Sequence, residues 1–484
     1  MSFDLVLFGG TGDLAWRKLM PALFQAFRHG SLPAGGRIIG VARDSLTDDQ
    51  YRALIRSRFE EVDLAKRPSA EEFDRFAALL QFIRMDLSQA ADYERLASVL
   101  RERNADNVVM YLATAPSLFT VACEQLAAAG LNTPATRIVL EKPLGHDLAS
   151  NRAINETVRR AFNEWQIFRI DHYLGKPSVQ NLLALRFGNS LFEPLWRRET
   201  IANIQITIAE DLGAEKRGAF YDQTGALRDM VQNHALQLLC AVAMEPPINA
   251  HADAIRDEKL KVLRSLKPWT AQTLSQHVVR GQYAEGVVNG EPVPGYRQEA
   301  GVNPESTTET FVALRTEIAN WRWAGVPFYL RTGKRLTARD AHIDIRFRPA
   351  PHAIFKSPAG ASNSLVINLQ PSDGLELHLL AQGANGRRDS STLSPVQLDL
   401  DFDKRFGSER VGAYERLLLD VIHGRLNLFV RSDEQEEAWR WVEPVLDSWA
   451  ADTDGPRSYA AGTWGPSAAS GMIARDGYSW SEEI

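Results

Sequence analysis

The sequence predicts two domains: an α/β domain with a parallel sheet over residues 1–172, then an α+β domain around a large, mainly antiparallel sheet over 173–484. Three observations carry this. The chain of 484 residues exceeds the length at which one hydrophobic core keeps growing. Its first third alternates the runs FDLVLF, RIIGVA, QFIRMDL, NVVMYLA, TRIVLEKP and WQIFRI with amphipathic stretches, the rhythm of βαβ units with helices on both sheet faces. Beyond about residue 175 strands follow one another directly, as ANIQITIAED, ETFVALRTEIAN, VPFYLRTGK, HIDIRFR, SLVINLQ, LELHLLAQ and VQLDLDF, which is how antiparallel sheets are written.

Within the second domain Ile204, Ile206 and Ile208 alternate with polar neighbours, so its sheet is expected to be covered on one face only. The helical segments GALRDMVQNHALQLLCAVAM and AYERLLLDVIHG are expected on that face. The tail after about residue 451, rich in Gly, Ser and Ala, is weakly patterned and expected to run over the surface. No internal repeat or low-complexity segment interrupts the chain.

Composition narrows the function. With 44% apolar and 24% charged residues and a formal net charge of −6, the chain reads as an ordinary globular protein without the basic stripe that nucleic acid requires. No apolar run is long enough to span a bilayer, and MSFDLVLFGGTG enters a strand without an export signal. A cytoplasmic location is therefore expected. Cys123 and Cys240, each in an apolar helical context, suit buried thiols and supply neither a disulfide framework nor a metal site.

The stretch FDLVLFGGTGDLAWRKLMPALFQAF sets a glycine cluster between the first strand and the first helix, where backbone amides can cradle a pyrophosphate. Gly9, Gly12 and Ala15 fit a G-x-x-G-x-x-A spacing and Gly10, Gly12 and Ala15 the commoner G-x-G-x-x-A, with Thr11, Asp13 and Leu14 between them. The position at the head of a βαβ series makes this a Rossmann-like dinucleotide site. The second strand ends in Arg43 and only then Asp44, and a guanidinium there suits a 2′-phosphate, with the Thr11 hydroxyl as a second donor. NADP is the expected coenzyme, and Asp44 leaves NAD open as a secondary one. Further along, Ala115-Pro116 and Glu141-Lys142-Pro143 lie at strand ends facing the expected crevice. Lys18 stands one turn into the first helix, which Pro21 should break or kink just beyond it.

In GALRDMVQNHALQLL, Leu227, Met230, Val231 and Leu238 trace a helical stripe that includes His234, so this imidazole is expected to face inward. Hydride transfer from an alcohol carbon to nicotinamide requires loss of the hydroxyl proton, and a base titrating near neutrality suits that step. Asp171, at the end of the parallel sheet, would hold the tautomer and stabilise the imidazolium. In FRIDHYLGKP, His172 and Lys176 would share a face if the segment turned helical, and with the Tyr173 hydroxyl they make a phosphate pocket.

Together GGTGDLAWRKLMPALF, LEKPLGHDL, RIDHYLGK, GALRDMVQNH and VPFYLRTGKRL resemble the glucose-6-phosphate dehydrogenase family, and IRDEKLKVL, VRGQY, AYERLLLDV and AGTWGP extend the similarity over nearly the whole chain. RIDHYLGK is highly specific to that family; the glycine motif is not. The resemblance implies oxidation of the C1 hydroxyl of β-D-glucose 6-phosphate to 6-phosphogluconolactone with reduction of NADP, the entry step of the oxidative pentose phosphate pathway, by a homodimer or homotetramer. It further implies His234 as base with Asp171 as its partner, and His172, Tyr173 and Lys176 at the sugar phosphate. Glu210, Asp229, Lys334 and Gln370 match sugar-contacting positions and Arg339 a usually basic one. Lys18 and Lys142 would lie where sugar and coenzyme meet, with Pro143 in cis. PLWRRE and RGAFYD depart from the family pattern without removing a residue from these roles. A related sugar oxidoreductase of the glucose/fructose type, or a noncatalytic dinucleotide sensor, are the competing readings.

Overall fold

The structure, a computed structural model, describes residues 1–481 apart from 62–66, 353, 357–361, 383–391 and 408–410. The chain divides into two compact units. The first comprises Met1–Gly175, Ile248–Arg256 and Val411–Glu436, the second Lys176–Pro247, Asp257–Arg410 and Glu437–Ile484. Each expected domain was one continuous stretch, whereas two later segments return to the first unit.

In the first unit, strands Phe3–Phe8 (β1), Gly36–Ala42 (β2), Leu80–Arg84 (β3), Asn107–Leu112 (β4), Thr136–Leu140 (β5) and Ile167–Ile170 (β6) lie in the order β6-β5-β4-β1-β2-β3. All these pairs are parallel, and Phe429–Val430 (β17 in chain order) adds an antiparallel edge to β6. The strand order reverses between β1 and β4, which opens the crevice where such sheets bind ligands. Helices cover both faces, so β1 is buried along its whole length, as its unbroken apolar run requires.

The turn after β1 is held by its neighbours. Gly9 and Gly10 both donate their N–H to the Val41 carbonyl, at 2.8 and 3.0 Å, and the Tyr51 hydroxyl donates to the Gly10 carbonyl at 3.1 Å. Gly9 has φ +85°, and a Cβ there would lie 2.6 Å from the Ala113 carbonyl oxygen; at Gly10 it would lie 2.7 Å from the Gly40 Cα. Side chains are excluded by backbone, which cannot move aside cheaply. The following π-helical turn, Ala15–Leu19, runs without a break into the α-helix Met20–Arg28, and Pro21, which has no N–H to donate, sits where the bonding pattern changes. The expected break is thus a change of helical register.

Helix Ala413–His423 packs on helix Met20–Arg28 and on β4, with Leu417, Leu418, Val421 and Ile422 buried. It therefore belongs to the first unit, not to the second sheet as expected. An amphipathic stripe states that a helix has a buried face but not which sheet covers it.

In the second unit the strands Ile201–Ala209 (β7), Val278–Ala284 (β8), Phe311–Glu317 (β11), Pro327–Gly333 (β12), Asp340–Phe347 (β13), Ser364–Gln370 (β14), Gly374–Gln382 (β15), Leu393–Asp401 (β16) and Arg457–Ala460 (β18) form one sheet. Gly286–Val288 (β9) and Glu291–Val293 (β10) make a separate hairpin. The sheet order is β16-β15-β14-β13-β7-β12-β11-β8-β18. Pairing is antiparallel except for β7–β12 and β8–β18.

β7 departs from its expected half-exposed state: Asn203, Gln205 and Thr207 are as fully buried as the isoleucines between them. The cover comes from the tail that was expected to lie loosely on the surface. Gln205 donates to the Ser479 carbonyl at 3.0 Å and accepts the Ser481 N–H at 3.1 Å. Arg331, buried, lies over the Trp480 ring at 4.2 Å and the Trp464 ring at 5.1 Å. Helix Ser467–Ala474 sends Met472 and Ile473 into the same core as Tyr329 and Trp480. Asp476 accepts from Arg315 and from the Tyr329 hydroxyl. Burial opposes its charge, but these two donors outweigh it and hold its carboxyl below the ordinary value.

Two outcomes follow from this packing. Gly10→Ala should destabilise the protein by about 1–3 kcal/mol in urea melts, more than Gly12→Ala, whose Cβ would meet only the Gly9 carbonyl at 3.1 Å. Asp476→Asn should lower stability at neutral pH by about 1–2 kcal/mol. Because the native carboxyl is depressed, its contribution is present above the ordinary carboxylate value and lost as pH falls through the native one. The difference between parent and variant melting temperatures should therefore shrink on acidification.

Candidate functional site

In the first unit a cavity of about 690 Å³ opens beyond the ends of β1, β2 and β4, lined among others by Gly9, Thr11, Arg43, Asp44, Asp86 and Ser88. Its floor is the glycine turn, where two positions tolerate no side chain. This is a cradle shaped for close approach of a pyrophosphate to backbone, so the residues present fit a dinucleotide. Arg43 is exposed at the rim. The Thr11 hydroxyl donates to Asp44 at 2.8 Å. Asp86 accepts the Ser88 N–H at 3.0 Å and its hydroxyl at 2.8 Å; those bonds, helped by the field of Arg43, hold its carboxyl below the ordinary value. Ala115 and Pro116 begin a short 3-10 turn after β4. Asp13 is exposed and ion-paired with Arg17 at 2.7 Å, Leu14 is half-buried at the head of the π-helical turn, and Lys18 is exposed on it.

The ends of β4, β5 and β6 carry a second polar group in the same unit. Glu141, buried, accepts the Tyr111 hydroxyl at 2.6 Å. Burial drives its carboxyl up against that hydrogen bond and the charge of Lys142, and the nearby Asp171 adds to the rise. The Lys142–Pro143 bond is cis, as the resemblance implied. Asp171 is buried and accepts the Tyr173 N–H at 3.0 Å. His172 stacks on the Tyr414 ring, 5.9 Å between centroids, and the Tyr414 phenol is pushed well up by burial and by the charges of Glu141 and Asp171. Residues 171–176 form turns, not a helix, so His172 and Lys176 are not helical neighbours. Arg169 is a structural residue. Buried, it holds Glu164 through both terminal nitrogens at 2.6 and 3.1 Å and Asn155 through Nε at 2.9 Å.

In the second unit one end of the sheet gathers most of the sugar-site candidates. β7 and β12 run parallel with Ala209 opposite Gly333, so Glu210 and Lys334, the next residues, emerge side by side. Lys334 Nζ reaches Glu210 Oε2 at 2.6 Å and lies 4.9 Å from the centre of the Tyr221 ring. Glu210 is pinned through its backbone: its N–H donates to Gly333 and its carbonyl accepts from Leu336, both at 2.9 Å. β13 starts opposite the end of β7, with Asp340 facing Ala209, so the exposed Arg339 lies at this sheet end too. Gln370 closes β14 opposite Ala341, and Lys176 Nζ donates to the adjoining Leu369 carbonyl at 2.9 Å.

Asp229 and His234 lie on a nine-residue π-helix, Leu227–Ala235, packed on β7 and β12. His234 is buried with Leu227, Met230, Val231 and Leu238, as the stripe predicts. In an α-helix residues five apart point about 140° from each other; i→i+5 bonding brings them nearer one face. The Tyr221 phenol, fully buried, is pushed far up by burial and by the charges of Asp229, Glu309 and Glu210. Those three carboxyl groups therefore lie near one phenol. Tyr111, Tyr221, Tyr414 and Glu309 were not singled out from sequence. Tyr221 and Tyr414 fall inside RGAFYD and AYERLLLDV, but a lone strand tyrosine and a glutamate before a strand carry no signal of their own.

The comparisons with known proteins agree with this geometry. Residues 6–181 match the family model "Glucose-6-phosphate dehydrogenase, NAD binding domain", and 183–481 match "Glucose-6-phosphate dehydrogenase, C-terminal domain". The glucose-6-phosphate 1-dehydrogenase of Rhizobium meliloti is 48% identical over all of this chain and 98% of its own length. That of Mycolicibacterium smegmatis is 49% identical over 99% and 97%. A solved glucose-6-phosphate dehydrogenase in complex with its substrate superimposes with a TM-score of 0.90 at 32% identity, over 99% of this chain and 98% of that one. The chain belongs to the glucose-6-phosphate dehydrogenase family, and it oxidises the C1 hydroxyl of glucose 6-phosphate to the lactone with a dinucleotide as hydride acceptor.

Proposed function

We propose that the reaction runs with NADP as preferred coenzyme, NAD as a secondary one, and His234 as the base that takes the proton from the sugar's C1 hydroxyl. The observation that carries the base assignment is the buried imidazole on a π-helix that also bears Asp229. When bound, the nicotinamide supplies the acceptor for the C1 hydride. Loss of hydride leaves positive charge at C1, which departure of the hydroxyl proton to His234 neutralises. Asp171 holds the imidazole in one tautomer and offsets the charge it gains.

His172, Tyr173 and Lys176 bind the phosphate, a cation and two polar donors for one dianion. Glu210, Asp229, Lys334, Gln370 and Arg339 orient the ring hydroxyls. The Lys334–Glu210 ion pair supports this: it supplies donors and an acceptor at fixed spacing on a rigid sheet end. Lys18 and Lys142 lie toward the coenzyme. Gly9, Gly10, Thr11, Gly12, Asp13, Leu14, Ala115, Pro116, Glu141, Lys142 and Pro143 form the dinucleotide cradle. Arg43 binds the 2′-phosphate, while Asp44, already bonded to Thr11, offers ribose hydroxyls an acceptor and keeps NAD usable. The working form is a cytoplasmic homodimer or homotetramer.

His234→Asn should lower kcat by about 10²–10⁴-fold while calorimetric binding of glucose 6-phosphate stays within threefold of the parent; near-normal turnover would remove the base assignment. Arg43→Ala should raise KM for NADP by about 10–100-fold and leave KM for NAD nearly unchanged. Equal losses with both coenzymes would exclude the 2′-phosphate role.

A further inference from the structure

We propose that Glu309 is a positioning residue that fixes the register of the π-helix bearing Asp229 and His234 and ties it to the sheet end bearing Lys334. It rests on the reading of Asp229 and His234 given above. Glu309 is buried and lies just before β11. Its Oε1 accepts the Leu227 N–H at 2.9 Å, and its own carbonyl accepts the Ala226 N–H at 3.0 Å. One residue thus satisfies two successive amides at the start of the helix, where helical bonding leaves donors without partners. The next residue, Thr310, accepts the Lys334 N–H on its carbonyl at 2.9 Å. Two adjacent peptide units therefore hold both the helix start and Lys334.

Gly225 is the counterpart of this contact. At φ +71°, ψ 170° it turns the chain into the helix, and a Cβ there would lie 2.4 Å from Glu309 Oε1. The turn brings backbone against the carboxylate so closely that only glycine fits. Because the π register decides how near one face Asp229 and His234 stand, loss of the Glu309 anchor frees the first turn to rewind toward the ordinary α register, where the two point apart. Burial raises the proton affinity of the Glu309 carboxyl, countered in part by the Leu227 N–H. Glutamine, which keeps a carbonyl acceptor for the Leu227 N–H, is a close substitute.

The test is steady-state kinetics of Glu309→Ala and Glu309→Gln with both substrates varied. Glu309→Ala should lose about 100-fold in kcat/KM for glucose 6-phosphate, with KM for the sugar phosphate raised and KM for the coenzyme within twofold of the parent. Glu309→Gln should recover to within about threefold of the parent, since it keeps the acceptor. If Glu309→Ala does not accumulate as folded protein, Glu309→Met, of similar volume without an acceptor, takes its place. The proposal is overturned if the non-accepting variant stays within threefold of the parent, if the glutamine variant is as impaired as it, or if both substrates' KM values rise alike. Failure of the base assignment is read separately, from His234→Asn, because a shifted Asp229 still raises KM for the sugar.

Discussion

The parallel pairing of β7 with β12, in a sheet otherwise nearly all antiparallel, is the constraint on which the sheet end bearing Glu210 and Lys334 depends. Antiparallel neighbours end at opposite edges of a sheet, so consecutive hairpins scatter strand ends. Parallel neighbours end together. With Ala209 opposite Gly333, the residues that follow are Glu210 and Lys334, and their ion pair needs no loop to arrange it. The flanking antiparallel strands then contribute what lies at that same edge: the start of β13 after Arg339, the end of β14 at Gln370, and the start of β11 after Glu309 and Thr310. Polar groups on strand ends are better fixed than groups on free loops.

That pairing has a cost, because it leaves β7 in the middle of the sheet with amide and hydroxyl side chains on one face. Asn203, Gln205 and Thr207 need partners or a cover if they are not to face water. The C-terminal tail supplies it, through Gln205 with Ser479 and Ser481, and through Arg331 between Trp464 and Trp480. β18 adds the second parallel pair, to β8, so the tail completes the sheet edge as well as its face. In the first unit the matching device is the glycine turn, where β1, β2 and β4 approach so closely that backbone alone occupies the space a side chain would take.

Where periodicity is local, the sequence was legible. The βαβ rhythm, the position of the glycine cluster, the inward face of His234 and the strands from β11 to β16 all follow from spacing within a few residues, and each is found. Where a pattern reports burial without a partner, it misled. The alternation in NIQITI is the same whether water or a distant tail lies on the polar face. The stripe in AYERLLLDVIHG is the same whichever sheet it meets. FRIDHYLGKP mixes roles that composition cannot separate: Arg169 locks Glu164 and Asn155, while Asp171 and His172 sit among Glu141, Tyr111 and Tyr414.

The sequence by itself determined the fold class, the dinucleotide turn and, through its motifs, the family, because these depend on dihedral preference, side-chain period and short fixed spacings. Tertiary structure alone decided that Glu210 meets Lys334 across 124 residues of chain, that Glu309 caps a helix 82 residues before it, and that the tail seals β7. Such contacts arise from strand order and register, and register is set by the packing of whole elements, which no local window of residues contains.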